Sequence, residues 1–164
     1  MEKEHSRQAQ PAMISSRLWV PIALSTGVLV FFGPGLWTGK ETLLSHDIGF
    51  SDHWHFHVPL KHLLAESLSR GELPWWAPEL SLGFPLLAEG QVGALYPPHW
   101  ILFGTLPLMA AMGIALGAHL LIAGLGVAFL ARQGGRTMPA AALAGLLFMT
   151  SGFLICHARH LNMV

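Results

Sequence analysis

The chain has 164 residues, of which 52% are hydrophobic types and 11% charged, against roughly 25% charged in an average soluble domain. Nine Lys+Arg balance nine Asp+Glu, and a net charge of zero excludes both an acidic disordered tail and a strongly basic nucleic-acid binder. So little charge beside so much apolar content points to a membrane, and the clustering of the apolar residues supports it.

In chain order, residues 1–17 read as a polar tail carrying Lys3, Arg7 and Arg17 against Glu2 and Glu4. The stretch Leu18–Thr38 lacks Asp, Glu, Lys and Arg, and a helix crossing the hydrocarbon needs roughly 20 apolar residues. It predicts transmembrane helix 1 over 18–37. No small-x-small cleavage site follows promptly, and Gly33, Pro34, Gly35 and Trp37 close the stretch, so it reads as a retained span rather than a signal peptide.

Residues 38–99 form a long loop. Within it, about 59–70 reads as an interfacial amphipathic helix: Leu60, Leu64 and Leu68 are four apart with Leu63 beside them, while Lys61, Glu66 and Arg70 fall elsewhere. Gly71 suits the position after its C-terminus. From Gly71 to Pro98, nine Gly and Pro residues punctuate a segment holding Trp75, Trp76 and Tyr96, with Trp100 just beyond. These aromatics favour the headgroup level, so the loop reads as structured and membrane-hugging.

The uncharged stretch Trp100–Ala131 would be about 48 Å long as a straight helix at 1.5 Å per residue, too long for one crossing. Pro107 divides it into an interfacial piece, Trp100–Gly104, and transmembrane helix 2 over 106–131. A loop at 132–138 turns on Gly134–Gly135 into transmembrane helix 3 over 139–156, and 157–164 is the end of the chain. Gly113 with Gly117, and Ala141 with Gly145, have the small-residue spacing that lets membrane helices approach closely. A soluble bundle would require amphipathic helices with a polar face, which these three stretches lack.

Charge orients the spans. The loop from Gly39 to His99 carries Lys40, Lys61 and Arg70 against seven acids, whereas 132–138 carries Arg132 and Arg136 and no acid. Positive loops stay cytoplasmic, so the N-terminus and 132–138 are expected inside and the long loop outside.

Chemistry-bearing residues concentrate in that loop. The single cysteine, Cys156, reads as a small hydrophobe near a helix end and permits no intrachain disulfide. Of ten histidines, His53, His55, His57 and His62 lie together beside Asp47 and Asp52. His53 and His57 share a helix face; His53, His55 and His57 share a strand face, and either arrangement has ligand spacing for a metal ion. Alternation with Trp54, Phe56 and Val58 favours an extended or interfacial segment whose rings present polar tips. Asp52, at the mouth of helix 1, is a candidate general base or cation ligand. His119, at the centre of helix 2, is expected to face a bundle interior or polar cavity.

Asp52 and Pro59, then Arg70-Gly71-Glu72-Leu73-Pro74-x-Trp76-x-Pro78, Gly83-x-Pro85-Leu86-Leu87-Ala88-x-Gly90-Gln91 and Leu95-Tyr96-Pro97-Pro98 together resemble the first outer loop of the bacterial YfhO-like membrane proteins. His119 with Gly124-x-Gly126, Ser151-Gly152-Phe153 and His157 to Asn162 extend the resemblance from about Asp47 to the last residue. Ala77 stands where the family usually has Asn, Glu79 where an aromatic is common, and histidines follow the Asp.

The resemblance implies an all-α membrane protein in the bacterial cytoplasmic membrane, similar to the GT-C glycosyltransferases. It implies sugar transfer from a polyprenyl-phosphate donor to a cell-envelope acceptor, with a divalent metal ion as an optional cofactor. Asp52 would be the base or metal-binding acid. Arg70, Trp76, Gln91, Tyr96 and His119 would contact substrate, and Arg70 or Lys61 would balance the leaving phosphate. Such enzymes carry eight or more spans, so the three expected here would form an N-terminal fragment, inactive alone. Two other readings stand beside this one. The first is a small three-span protein binding metal through His53, His55 and His57; the second is an assembly subunit docking through Trp75 and Trp76.

Overall fold

The computed structural model describes residues 19–30, 33, 52–80 and 82–157. Among them the fold is all-helical, with one isolated β-bridge between Ala77 and Phe84. Six α-helices follow in order: α1 (Trp19–Val30), α2 (Val58–Ser69), α3 (Pro97–Thr105), α4 (Leu108–Gln133), α5 (Met138–Met149) and α6 (Gly152–His157). Two stretches are long and apolar enough to cross a membrane: α4, with 26 residues, and α5–α6, with 20 residues from Met138 to His157. Of the expected helix 1 the described residues show α1, an apolar helix shorter than those two stretches; apart from Gly33, the remainder of 18–37, the tail 1–17, the loop before Asp52 and the chain beyond His157 lie outside the described residues.

Helices α4 and α5 form a hairpin. Gly135 takes the left-handed conformation at φ 76°, and Pro139 stands in the first turn of α5, where no backbone donor is needed. The two backbones meet at Gly124 and Gly145: a Cβ on Gly145 would lie 2.5 Å from the Gly124 carbonyl oxygen. Ala141 and Gly145 are both buried, so this small-residue pair does mark a close helix contact. Helix α1 lies along the hairpin, with Leu24 against Gly145 and Gly27 against Leu146 and Met149, so it runs parallel to α5. The bundle core joins Val20, Leu24 and Val28 to Leu116, Leu120, Ala128, Ala141, Met149 and Leu154.

A second core lies in the module formed by α2, the 71–96 segment, α3 and the start of α4. It contains Leu60, Leu64, Ala77, Leu86, Val92, Ala94, Phe103, Ala111 and Met112. Helix α4 threads both cores: Ala111 and Met112 belong to the module, Leu116 onward to the bundle. The bundle portion, Leu116 to Gln133, is about 27 Å long at 1.5 Å per residue, close to the roughly 30 Å of a hydrocarbon core.

Local chemistry explains the module's turns. Helix α2 ends in a Schellman motif, with Gly71 at φ 70° and bonds from Glu72 N–H to Ser67 O and from Gly71 N–H to Leu68 O, both 3.0 Å. The Ala77–Phe84 bridge closes a turn at Gly83 (φ 106°), over which the Trp76 indole packs. The Glu89 carboxylate accepts from Val92 N–H at 2.9 Å and caps the short 3₁₀ turn Gly90–Val92. Pro97 and Pro98 open α3, and Leu106 is extended at φ −113°, ψ 154°, as a residue preceding proline prefers. The division at Pro107 is therefore where the sequence puts it. However, α3 begins at Pro97 rather than Trp100, and α4 runs Leu108–Gln133 rather than 106–131.

Three expectations are corrected. The segment His53–His57 is neither extended nor strand-like; it is a π-helical turn running into α2. Pro59 lacks an N–H and its ring would crowd the His55 carbonyl in a regular helix, and the turn widens so that Val58 N–H bonds His53 O, five residues back. The apolar stripe of α2 does not lie open to a membrane interface: Leu60 and Leu64 are buried in the module core. Lys61 falls with that buried face, not away from it, because its polar head finds partners inside.

Candidate functional site: a basic cavity between the module and α4

Helices α2, α3 and α4 converge on a partly open cavity of about 30 Å³, room for roughly one or two waters. Helix α2 contributes Lys61, α3 contributes His99 and Phe103, and α4 contributes Met112, Ala115, Leu116 and His119. Lys61 is 3% exposed. Its Nζ donates to Val92 O at 2.7 Å and lies 5.1 Å from the centroid of the Phe103 ring. Burial pushes its pKa down to about 8, against a smaller upward pull from Glu89. Among the described residues no carboxylate forms an ion pair with it.

His99 Nδ1 lies 3.0 Å from Gly93 O and 3.3 Å from Lys61 Nζ. Nδ1 thus stands between a carbonyl, which only accepts, and an ammonium, which only donates. Burial, then the Lys61 charge, lower the His99 pKa to about 4, so the ring is neutral at physiological pH. His119 lies on α4 between Leu116 and Leu120, which belong to the bundle core. Its Nδ1 donates to Ala115 O at 2.6 Å, which fixes the tautomer and leaves Nε2 to accept from the Tyr96 hydroxyl at 3.0 Å. Two imidazoles and a buried ammonium thus line one cavity that has no acidic wall.

Comparison with protein-family models, curated proteins and solved structures returned no match. The chemistry of the site therefore rests on its own residues.

Of the residues the sequence singles out, Tyr96 and His119 are brought together, and His119 lines this cavity. Arg70 is not: it is exposed, with its guanidinium held by Glu66 at 2.7 Å and Glu72 at 3.2 Å. Those partners, the Glu72 bond foremost, raise its pKa further. Trp76 is exposed and covers Gly83, and Gln91 is exposed on the 3₁₀ turn. Asp52 is exposed at the start of the π turn and makes no capping hydrogen bond with its side chain.

The trio His53, His55 and His57 is split. His53 and His57 are buried on one face, and His55 points to the exposed side, because a helical turn does not align alternate residues. Among the described residues no group of three His, Cys, Asp or Glu side chains is set to hold a metal ion. Burial, then repulsion from His57, lowers His53 to about 4. His99 is the cavity residue that sequence reasoning overlooks. Its place in Pro-Pro-His-Trp, one turn before Phe103, marks it as sharing a helix face with a core aromatic, but nothing local links it to Lys61.

Proposed function

We propose that this chain is the donor-facing part of a GT-C-like glycosyltransferase of the bacterial cytoplasmic membrane. It would transfer a sugar from a polyprenyl-phosphate carrier to a cell-envelope hydroxyl on the extracytoplasmic side. The observation that carries this reading is the division into two cores along α4. A helical module with its own interior is mounted on one end of the apolar hairpin, with Leu73, Trp75, Trp76 and Leu82 exposed around it. Tryptophan and leucine at that level suit the headgroup region, where the phosphate of a lipid carrier lies. The motif resemblance to the YfhO-like loop supports the same reading.

Arg132 and Arg136 at the hairpin turn and the shared direction of α1 and α5 support a scheme of three spans with the N-terminus and 132–138 inside. In this scheme Asp52 takes the acceptor hydroxyl proton as that oxygen bonds the anomeric carbon. The carbon–oxygen bond to phosphate breaks, and its electron pair leaves with the polyprenyl phosphate.

The test is sugar transfer in membranes containing the full protein, wild type against Asp52→Asn. Loss of transfer by 100-fold or more, with unchanged accumulation of the protein, is expected from removing a general base, which contributes roughly 10²–10⁴-fold. Transfer at the wild-type rate in Asp52→Asn membranes overturns the assignment.

A further inference from the structure

We propose that the cavity at Lys61 is an oxyanion subsite that holds the phosphate of the lipid-linked donor, with Lys61 as its charged contact and the His119 edge as its opposite wall. The inference rests on the glycosyltransferase reading for the identity of the ligand, but not for the existence of the site.

A lysine 3% exposed is costly to keep charged unless something compensates it. One of its three ammonium protons goes to Val92 O at 2.7 Å. A second faces His99 Nδ1 at 3.3 Å. At least one donor therefore remains on a buried cation beside an open space. The walls carry imidazoles and apolar groups and no carboxylate, which disfavours a metal ion or an amine and favours an anion. The volume, about 30 Å³, suits one terminal oxygen of a phosphoryl group with the remainder outside; a sugar ring would not enter.

The alternative cation, Arg70, is already held by two carboxylates at the surface. Lys61 is thus the better placed of the two for a leaving phosphate. Lysine binds phosphate as a compact point charge, which matches a small cavity better than a forked guanidinium would. The Tyr96–His119 pair fixes the far wall, since each ring is locked by the hydrogen bond between them and His119 is tied again to Ala115 O.

The experiment titrates the purified full chain in detergent with farnesyl phosphate, farnesol and inorganic phosphate, read by phosphorus line broadening for the phosphates and tryptophan fluorescence for the alcohol. Farnesyl phosphate is expected to bind, and Lys61→Met to weaken it at least tenfold while farnesol binding is unchanged. Lys61→Arg, which keeps the charge but fits the small cavity less well, is expected to bind between the wild type and Lys61→Met. Thermal midpoints confirm that each variant is folded. If Lys61→Met does not fold, Lys61→Gln, which keeps a donor toward Val92 O without charge, is expected to show the same loss. Wild-type affinity for farnesyl phosphate in a folded, uncharged variant overturns the site. Inorganic phosphate binding as tightly as farnesyl phosphate, and lost with Lys61, overturns the lipid assignment and leaves a free-phosphate site. Because no acceptor or turnover is involved, the result is independent of the Asp52→Asn assay.

Discussion

The hydroxyl of Tyr96 and Nε2 of His119 lie 3.0 Å apart and join the loop entering α3 to the middle of α4. This bond locks the module to the bundle at the level where their cores divide. Tyr96→Phe removes the donor and leaves the rest of the ring, so a loss of about 1 kcal/mol is expected. In a double-mutant cycle with His119→Phe, the coupling should be about 0.5–1.5 kcal/mol by thermal unfolding. A coupling of zero would show that the two rings merely adjoin.

The α4–α5 seam depends on two glycines being side-chain-free. A Cβ on Gly145 would meet the Gly124 oxygen at 2.5 Å, and both partners are backbone that can yield only by separating the helices. Gly145→Leu should therefore cost 2 kcal/mol or more, on the order of severe overpacking, and lower accumulation in the membrane. Gly126, in α4 with Gly124, has open space where a Cβ would go. Gly126→Ala should be neutral or stabilising by up to about 1 kcal/mol. Equal effects at the two positions would contradict this helix contact.

Acid should weaken the module and alkali should strengthen it. His53 and His99 titrate at about 4 in the fold against 6.5 when free. Between those values the unfolded chain binds protons that the folded chain does not, so stability falls as pH drops from 6.5 to 4. Lys61, at about 8 against 10.5, gives a rise in stability from pH 8 to 10.5 as the unfolded-state preference for the proton is withdrawn. The thermal midpoint should therefore climb, level off between 6.5 and 8, and climb again. Lys61→Met should remove the alkaline climb; a wild-type midpoint that declines from pH 8 to 10 would show that Lys61 is not held as described.

At the turn between Ala77 and Phe84, Gly83 adopts φ 106° under the Trp76 indole, and a Cβ there would approach Trp76 Cζ2 at 2.4 Å. Gly71, at φ 70°, has free space around it. Gly71→Ala should cost about 1 kcal/mol, from backbone conformation alone. Gly83→Ala should cost more, because the Trp76 ring must also be displaced. Equal losses of thermal midpoint in the two variants would mean that the ring does not depend on Gly83.

Much of this fold is legible from local signals. Gly71 ends α2, Pro107 separates α3 from α4, and Gly134–Gly135 turns the hairpin, because each position has a backbone requirement that the residue type satisfies alone. The π turn is not legible that way. His-Trp-His-Phe-His alternates like a strand, and the helical outcome depends on Pro59 and on burial of His53 and His57, which are tertiary facts. Lys61 is a similar case. It shares the i, i+3, i+7 row with Leu64 and Leu68, a buried row, but charge argues for the surface until Val92 O and Phe103, more than thirty residues away, are known. Tyr96 and His119 are visible singly in the sequence; their pairing is set by α3 folding back along α4.

The account depends most on which side of the membrane the module occupies. Cys156 is the single cysteine, so a Cys156→Ala background allows one reporter at a time. Ser69→Cys, at the exposed end of α2, and Gln133→Cys, at the exposed end of α4, report the two ends of the hairpin. With a membrane-impermeant maleimide on intact cells freed of the outer envelope, Ser69→Cys should label and Gln133→Cys should label only after permeabilisation. Labelling in the reverse pattern would put Lys61 and Asp52 on the cytoplasmic face and contradict the proposal.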